Sequence, residues 1–494
     1  MENSFVVRYS LMCEMGPMLE GMKKIDEVEW EVPVGYVPGM RVPARFFLSE
    51  DLEESLEEGA VHQLANVATL PGIVRHALAM PDIHSGYGFP IGGVAAFREE
   101  TGIISPGGVG YDINCGVRLL ATPLRVEDLT QMRALVEELF RTVPTGVGAE
   151  SRMRLSARGL EEMLVEGVPW AVREGYGIEA DAVHCEENGQ MQGADAVPVS
   201  KRARKRGMPQ AGTLGAGNHF LEVQAVDKVF DPGVAAVYGL EEGQVCCMIH
   251  CGSRGLGHQV CTDHLRVLES ATRRYGIEIP DRQLACAPVH SPEGEAYFGA
   301  MAAAANYAWV NRQVITHEVR KVFSRLFGIE YEEMPLVYDV AHNVAKREVH
   351  DTDGRRETLY VHRKGATRAF GPGRVEVPQD YRAVGQPVII PGSMGSFSYV
   401  LHGTGTAMER TFGSTCHGAG RVMSRTAAKK SMPGKEVREA LLGRGIYVRA
   451  TSDASIAEEA PAAYKESDKV VDTVTRAGLS MPVVRLRPLG VIKG

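Results

Sequence analysis

Apolar residues recur in two rhythms along this chain. The first is helical. Leu129, Met132, Leu135, Val136, Leu139 and Phe140 share one stripe, so residues 125–143 predict an amphipathic helix with that stripe in a core. Residues 51–68, acidic in their first turn, predict another helix, as do residues 157–173. The longest helix is expected over 293–326, acidic at its start, with a close-packing face at Ala300 to Ala305. The second rhythm is a short apolar run that halts at polar or glycine-rich sequence. Val117–Leu120, the run from Phe220, Val245–His250, Pro335–Val340 and Pro387–Ile390 have this form and predict buried strands. Residues 1–50 carry few helix signals, and Val32–Gly39 reads as extended chain with turns.

The chemistry gathers where those strands stop or start. Gly107 to Gly116 sets a carboxylate, Asp112, and a thiol, Cys115, between glycines just before a strand, so both can point into one pocket above it. His219 stands beside Asn218 and Glu222 in a glycine-rich turn at the start of the next strand. His250 closes a strand before the loop Cys251-Gly-Ser-Arg254-Gly, and Arg254 there suits a phosphate. His342-Asn343 follows a third strand. Upstream, Asp82 and His84 lie in the glycine-rich stretch Met80–Pro90 and read as ligands, positioning partners or turn residues.

Asp112, Cys115, His219, His250 and His342 exceed the needs of one tetrahedral site. A thiolate can bridge two metals, so they suggest a dinuclear centre. Mixed nitrogen, oxygen and sulfur donors suit zinc, iron, cobalt or manganese. The bland alternative is one metal or none, with the histidines as hydrogen-bonding core residues. Pro391–Tyr399 and Gly413–Arg421 pack small residues, hydroxyls and backbone amides into what reads as an anion-binding concavity, with His417 inside it. No GxxxxGK[ST] run occurs there, so an ordinary P-loop is absent. A metal beside an anion cradle points to phosphoryl or nucleotidyl transfer. No KxDG run supplies a lysine nucleophile. His417 is therefore the stronger candidate to attack a phosphate and form a phosphoramidate.

Composition narrows the partners. With 494 residues, 44% of them hydrophobic, the chain can bury a large core, and motifs spread from residue 82 to residue 420 argue for one interwoven unit. A net charge of −8 excludes a molecule basic all over. It leaves one local patch, Lys201–Arg206, which reads either as nucleic-acid-facing or as a solvated loop. Nine cysteines without a CxxC pairing fit a reduced, cytoplasmic chain. Met1–Tyr9 lacks the apolar core of a secretory signal, and no apolar run is long enough to span a bilayer. The charged end of the chain is expected to fray.

Taken in order, Asp112-Ile-Asn-Cys115-Gly, Gly217-Asn-His219-Phe-Leu-Glu222, His250-Cys-Gly-Ser-Arg254-Gly, His342-Asn343, Pro391-Gly-Ser-Met394 and Ser414-Thr-Cys-His417-Gly-Ala-Gly-Arg421 resemble the RtcB family of RNA ligases. The combination covers nearly the whole chain and is far more specific than any single motif. The resemblance implies an α+β fold, with central packed β-sheets surrounded by helices, in a single catalytic domain over 1–494. It implies joining of a 2′,3′-cyclic phosphate or 3′-phosphate RNA end to a 5′-hydroxyl end, in tRNA splicing or RNA repair. GTP would be the co-substrate, two manganese ions the cofactors, and His417 the residue that carries GMP.

Carried over by position, one manganese would be held by Cys115, His250 and His342, and the other by Asp112, Cys115 and His219. The GTP site would take Asn218 at the phosphates, with Phe220, Leu221, Glu222 and Asn343 nearby. Pro391, Gly392, Ser393, Met394 and Ser398 would form one wall. Gly418, Ala419, Gly420, Tyr464 and Lys493 would complete it. Arg254 and Arg421 would meet RNA or GTP phosphates. The resemblance further implies a monomer in the cytoplasm, off the membrane, with archease as a helper. A two-metal phosphoesterase acting on RNA ends is the alternative enzyme, and a non-catalytic RNA-binding protein the alternative class. One position departs from the family pattern. Cys251 stands where the family loop commonly has serine, and it reads as an extra oxidation site beside the metals.

Overall fold

The apolar runs become strands, and the strands lie side by side. A computed structural model describes residues 19–494; the reading of Met1–Tyr9 falls outside them. The larger sheet runs in the order Leu336–Ala341, Gly116–Arg125, Gln244–Cys251, Phe220–Val229, Ser480–Lys493, Ser398–Gly403, Pro387–Ile390. Neighbours along this path are antiparallel, and Tyr447–Ala450 adds a parallel strand beside Ser480–Lys493. Both faces are covered, which is why its strands read as continuous apolar runs. Leu221, Val223, Cys247 and Ile249 face a core of helices. Val117, Leu119, Phe220 and Met248 face a second core.

Register gives this sheet its use. Gly116 pairs with Cys251 and with Ala341, Val117 with His250, and Phe220 with both His250 and Lys493. The strand ends bearing Cys115, His219, His250, His342 and Lys493 are therefore level, at one edge of the sheet. Side chains alternate along a strand, so a slip of one residue anywhere here would turn a ligand away.

The helix expected over 293–326 runs from Pro292 to Phe327, started by Ser291, whose side chain accepts from Gly294 N, and ended at Gly328. Its alanines 300–305 are fully buried against the sheet side. Three expected helices differ from the reading. Residues 51–68 form a short turn, Glu50–Ser55, and then a helix, Glu58–Val67. A continuous helix would stack Glu50 on Glu54, Glu53 on Glu57 and Glu54 on Glu58, like charges four apart. The helix read over 125–143 begins only at Met132, because the preceding strand continues to Arg125. Residues 157–173 form two helices, Ala157–Glu166 and Val168–Arg173, parted at Gly167 with φ 64°. There a Cβ would meet Gly189 O at 2.1 Å, so no other residue fits.

A second sheet, of seven strands, runs Lys23–Lys24, Glu29–Val32, Ala44–Phe47, Ala77–His84, Ile91–Arg98, Arg355–Lys364, Asn343–Thr352. Its core is shared with the helices Glu58–Val67 and Ser467–Arg476 and with Val388, Ile390 and Leu401 of the first sheet. The molecule is thus α+β, with two sheets packed among helices. Asp82 and His84, read as part of a glycine-rich loop, lie at the end of a strand. The basic run is not a loop either. Lys201–Gly207 is a helix, capped by Ser200 and seated on the helix Arg254–Arg274 through buried Ala203 and Gly207. The end of the chain does not fray: Lys493 is 3% exposed in a strand paired on both sides.

Candidate active site and metal centre

Cys115 and Asp112 converge because Asn114 between them takes the left-handed conformation, φ 50°, folding the segment into a turn in which Cys115 N donates to Asp112 O at 3.0 Å. That turn is held from behind. Arg312, fully buried on the long helix, donates to Asn114 O at 2.9 Å, to Asn114 Oδ1 at 3.0 Å and to Cys251 O at 2.7 Å. Its charge is met by buried Asp339, which also binds Arg118 at 2.7 Å. One carboxylate therefore fixes both loops that flank the cluster.

Asp112, Cys115 and His219 offer ligand atoms within 4.8 Å of one another. His219 Nε2 lies 2.8 Å from Asp112 Oδ2 and 3.5 Å from Cys115 Sγ. His250 Nε2 approaches the same sulfur at 3.3 Å. His342 joins through ring contacts: its centroid is 5.8 Å from that of His250 and 5.2 Å from that of His417. Its Nδ1 is hydrogen-bonded to Thr367 Oγ1 at 2.8 Å, while its Nε2 is buried without a partner. An orphaned imidazole nitrogen next to a thiol and a carboxylate is the donor set a borderline divalent metal takes, so these residues fit a metal site.

The electrostatics agree. Burial holds His250 and His342 well below the ordinary histidine range, as neutral donors. Burial opposes charge on Asp112, yet His219 and Arg254 hold its carboxyl down at about 2. Burial and the Asp112 carboxylate push the Cys115 thiol up to about 11. Burial also opposes charge on His219, but Cys251, Asp112 and Cys115 raise it well above its usual value. The Asp112 carboxylate is thus ionised opposite a protonated His219, and a divalent cation would take the place of that proton.

His417 faces this cluster from the other sheet's side. Asp82, 0% exposed, accepts from His417 N at 3.1 Å and meets His417 Nδ1 at 2.5 Å, both through Oδ2. A carboxylate only accepts, so Nδ1 carries a proton, and in a neutral ring Nε2 then holds the lone pair. The Asp82 segment is itself pinned: Lys465 Nζ donates to Pro81 O at 3.1 Å and Ile83 O at 2.9 Å. Burial lowers Lys465 to about 8. Gly420 lies so close that a Cβ there would sit 2.5 Å from Asp82 O. Of the three readings of Asp82, the positioning partner matches this geometry.

Beside His417 opens a cavity of about 230 Å³. Asn218, Phe220, Asn343, Pro391 to Met394, Gly418 to Gly420, Arg421, Tyr464 and Lys493 line it. Glu222 and Ser398 stand just behind. Gly392 N donates to Ser398 Oγ at 3.0 Å, and Gln224 Nε2 donates to Ser398 Oγ at 3.0 Å and to Glu222 Oε2 at 2.7 Å. Glu222 Oε1 is buried without a partner, and burial lifts this carboxyl to about 8. Leu221 turns the other way, into the helical core, as strand alternation requires. Arg254 is not on the cavity wall: its Nη1 lies 3.2 Å behind His219, at Nδ1. Cys251 is sealed rather than open to oxidants. Its Sγ lies 3.0 Å from Leu214 O and accepts from Asn311 Nδ2 at 3.1 Å, with no exposed surface.

Four lining residues went unread in the sequence, Ile91, Gly365, Arg425 and Glu459; the last two are charged. Glu459, 2% exposed, takes the Tyr464 hydroxyl and lies 3.3 Å from Arg421 and 3.7 Å from Lys493. Arg425 reaches it at 3.5 Å. No sequence signal marks Glu459. Its place follows from four partners that converge on it.

An α+β body whose sheets bring a thiol-centred ligand cluster, a carboxylate-held histidine and a deep cavity to one spot defines a class: metal-dependent enzymes of phosphoryl or nucleotidyl transfer. The comparisons with known proteins sharpen this. A family profile described as tRNA-splicing ligase RtcB matches residues 63–494. A tRNA-splicing ligase RtcB of Archaeoglobus fulgidus is 63% identical over 480 residues, 96% of this chain and 100% of the relative. Those of Methanococcus maripaludis and Thermococcus kodakarensis are each 54% identical, over 97% and 98% of this chain and the whole of each relative. The chain belongs to the RtcB family of ligases. Among the described residues, no helix is long and apolar enough to cross a membrane.

Proposed function

We propose that this protein seals RNA by joining a 2′,3′-cyclic phosphate or 3′-phosphate end to a 5′-hydroxyl end, with GTP as co-substrate and two manganese ions. The observation that carries the reading is the Asp82–His417 pair, with His417 on the wall of the cavity and its ring centroid 5.2 Å from that of His342. Cys115, His250 and His342 would hold one ion, and Asp112, Cys115 and His219 the other. When bound, the metal neutralises phosphate charge and aligns the reacting groups.

The chain's own residues do the rest. Asp82 keeps the proton on His417 Nδ1, so Nε2 attacks the α-phosphorus of GTP, the bond to the β-phosphate breaks, and pyrophosphate leaves. The histidine-bound GMP passes to an RNA 3′-phosphate, a cyclic end having first been opened by water. The 5′-hydroxyl then attacks that 3′-phosphorus and displaces GMP. Asn218 and Arg421 suit the triphosphate. Tyr464, Lys493, Glu222, Ser393 and Ser398 suit guanine and ribose, and Glu222 Oε1 offers an unused hydrogen-bonding group. Phe220, Asn343, Met394 and Ala419 complete the cradle. Arg254, behind His219, suits an RNA phosphate only by reaching past that ring.

The match over residues 63–494 supports one catalytic domain for the chain. A monomer in the cytoplasm, assisted by archease, belongs to the same proposal. Incubation with labelled GTP and manganese should leave an acid-labile label on the protein and none on His417→Ala. RNA halves with defined ends should join only when GTP and manganese are both present. Release of phosphate without joining would instead select the phosphoesterase.

A further inference from the structure

Three rings stand beside the metal cluster without serving it. Tyr111 immediately precedes Asp112 and stacks on His258, with centroids 4.9 Å apart and planes 29° apart. Tyr87 meets Tyr111 edge-on at 5.6 Å. The rings are not core: Tyr87 and Tyr111 are half-buried and His258 is exposed. Nor is their support loose. Buried Lys364 donates to Tyr87 O and, at 3.0 Å, to Phe89 O, while Gly88 N donates to Gln283 Oε1 at 2.9 Å. The Tyr87 loop is thus clamped on both sides.

The surroundings select the partner. His258 sits one turn along the helix Arg254–Arg274, and Arg206 of the basic helix reaches the next residue, Gln259, at 3.0 Å. On that helix Arg204 pairs with Glu161. Among the described residues, exposed Lys201, Arg202, Lys205 and Arg206 have no carboxylate in ion-pair reach. In a chain of net charge −8, unpaired cations beside rigid, partly exposed rings are the pairing that single-stranded nucleic acid uses: cations for the backbone, aromatic faces for the bases. The rings flank Asp112, whereas His417 and the nucleotide cavity lie beyond His342.

We propose that Tyr87, Tyr111 and His258 form a stacking platform for an unpaired nucleobase of the RNA strand, which the helix Lys201–Gly207 leads to the metal cluster. The proposal rests on the RNA-ligase reading above and adds a base-binding site to it. Stacking needs a π-face and not a particular base, so the platform places the strand without choosing its sequence.

The test uses the full chain and single-stranded RNA carrying 2-aminopurine at successive positions from its reactive end. One position near the end should be quenched on binding. His258→Ala and Tyr87→Leu should each relieve that quench and weaken RNA binding by about tenfold or more. His258→Phe should restore both. An abasic nucleotide at the quenched position should weaken binding to wild type but add little to His258→Ala. GTP labelling of His417 needs no RNA and reports on the ligase reading separately. Failure of labelling in wild type overturns that reading. Normal labelling and ligation, with RNA binding and quench unchanged in both ring variants, overturns the platform and leaves a surface for some other partner.

Discussion

Asp82→Asn isolates what holds the nucleophile. The substitution keeps the shape of a side chain that is 0% exposed and removes its charge. Asp82 Oδ2 serves His417 twice, at N and at Nδ1, while its other oxygen has no partner. A hydrogen bond to a charged group contributes about 1.5–3 kcal/mol. At about 1.4 kcal/mol per tenfold, labelling of His417 should slow by roughly ten- to a hundredfold. If the amide NH₂ turns toward Nδ1, the imidazole is held with its proton on Nε2, and the loss approaches roughly ten-thousandfold, as in a triad aspartate replaced by asparagine. Asp82→Ala gives the comparison, since it cannot impose the wrong tautomer. The assay is single-turnover labelling from GTP, with thermal unfolding as a control for folding. Because Asp82 does not line the cavity, the apparent GTP affinity should hold while the rate falls. Labelling of Asp82→Asn at the parent rate, or a defect confined to GTP affinity, would refute the reasoning.

The pH dependence of stability should carry a mark of Glu222. Burial raises its carboxyl from 4.5 to about 8, so between those values the folded protein holds a proton that the unfolded chain has lost, and stability declines as pH rises. The slope is at most about 1.4 kcal/mol per pH unit. Glu222→Gln should flatten it in denaturant titrations, and parallel profiles would contradict the assignment. Gly420→Ala, at φ 74° and with its Cβ 2.5 Å from Asp82 O, should cost about 1–3 kcal/mol and slow labelling; Gly405→Ala, which meets nothing within 4 Å, should do neither. Asp339→Leu leaves Arg118 and Arg312 buried without their shared carboxylate, for a loss of about 3–5 kcal/mol and weaker manganese retention in equilibrium dialysis. An unchanged unfolding midpoint would show that the pairing is dispensable.

The strand ends were legible because a histidine where a buried run meets polar or glycine-rich sequence is a local pattern: His219 opens a run, while His250 and His342 close one. Their alignment was not, because register arises from pairings between distant segments. Asp82 shows the limit most plainly. Its partner is 335 positions away, so the sequence left three readings open until the sheets were packed. The run Lys201–Arg206 looked like a loop because its charge drew attention from good helix formers behind a serine cap. Cys251 looked reactive by proximity in sequence to His250, but alternation turns it to the opposite face of the sheet. Lys493 broke the expectation of frayed ends, since the rule speaks of unpaired termini and this one has strands on either side.

That last strand has a consequence for how the molecule is made. Ser480–Lys493 is made after both of the strands it lies between, Phe220–Val229 and Ser398–Gly403, in the middle of the larger sheet. A nascent chain still short of it holds two half-sheets whose bare edges can recruit any neighbouring chain. The two halves can therefore be zipped together only once this strand is present, and truncation near residue 480 should yield aggregates rather than a weakened ligase.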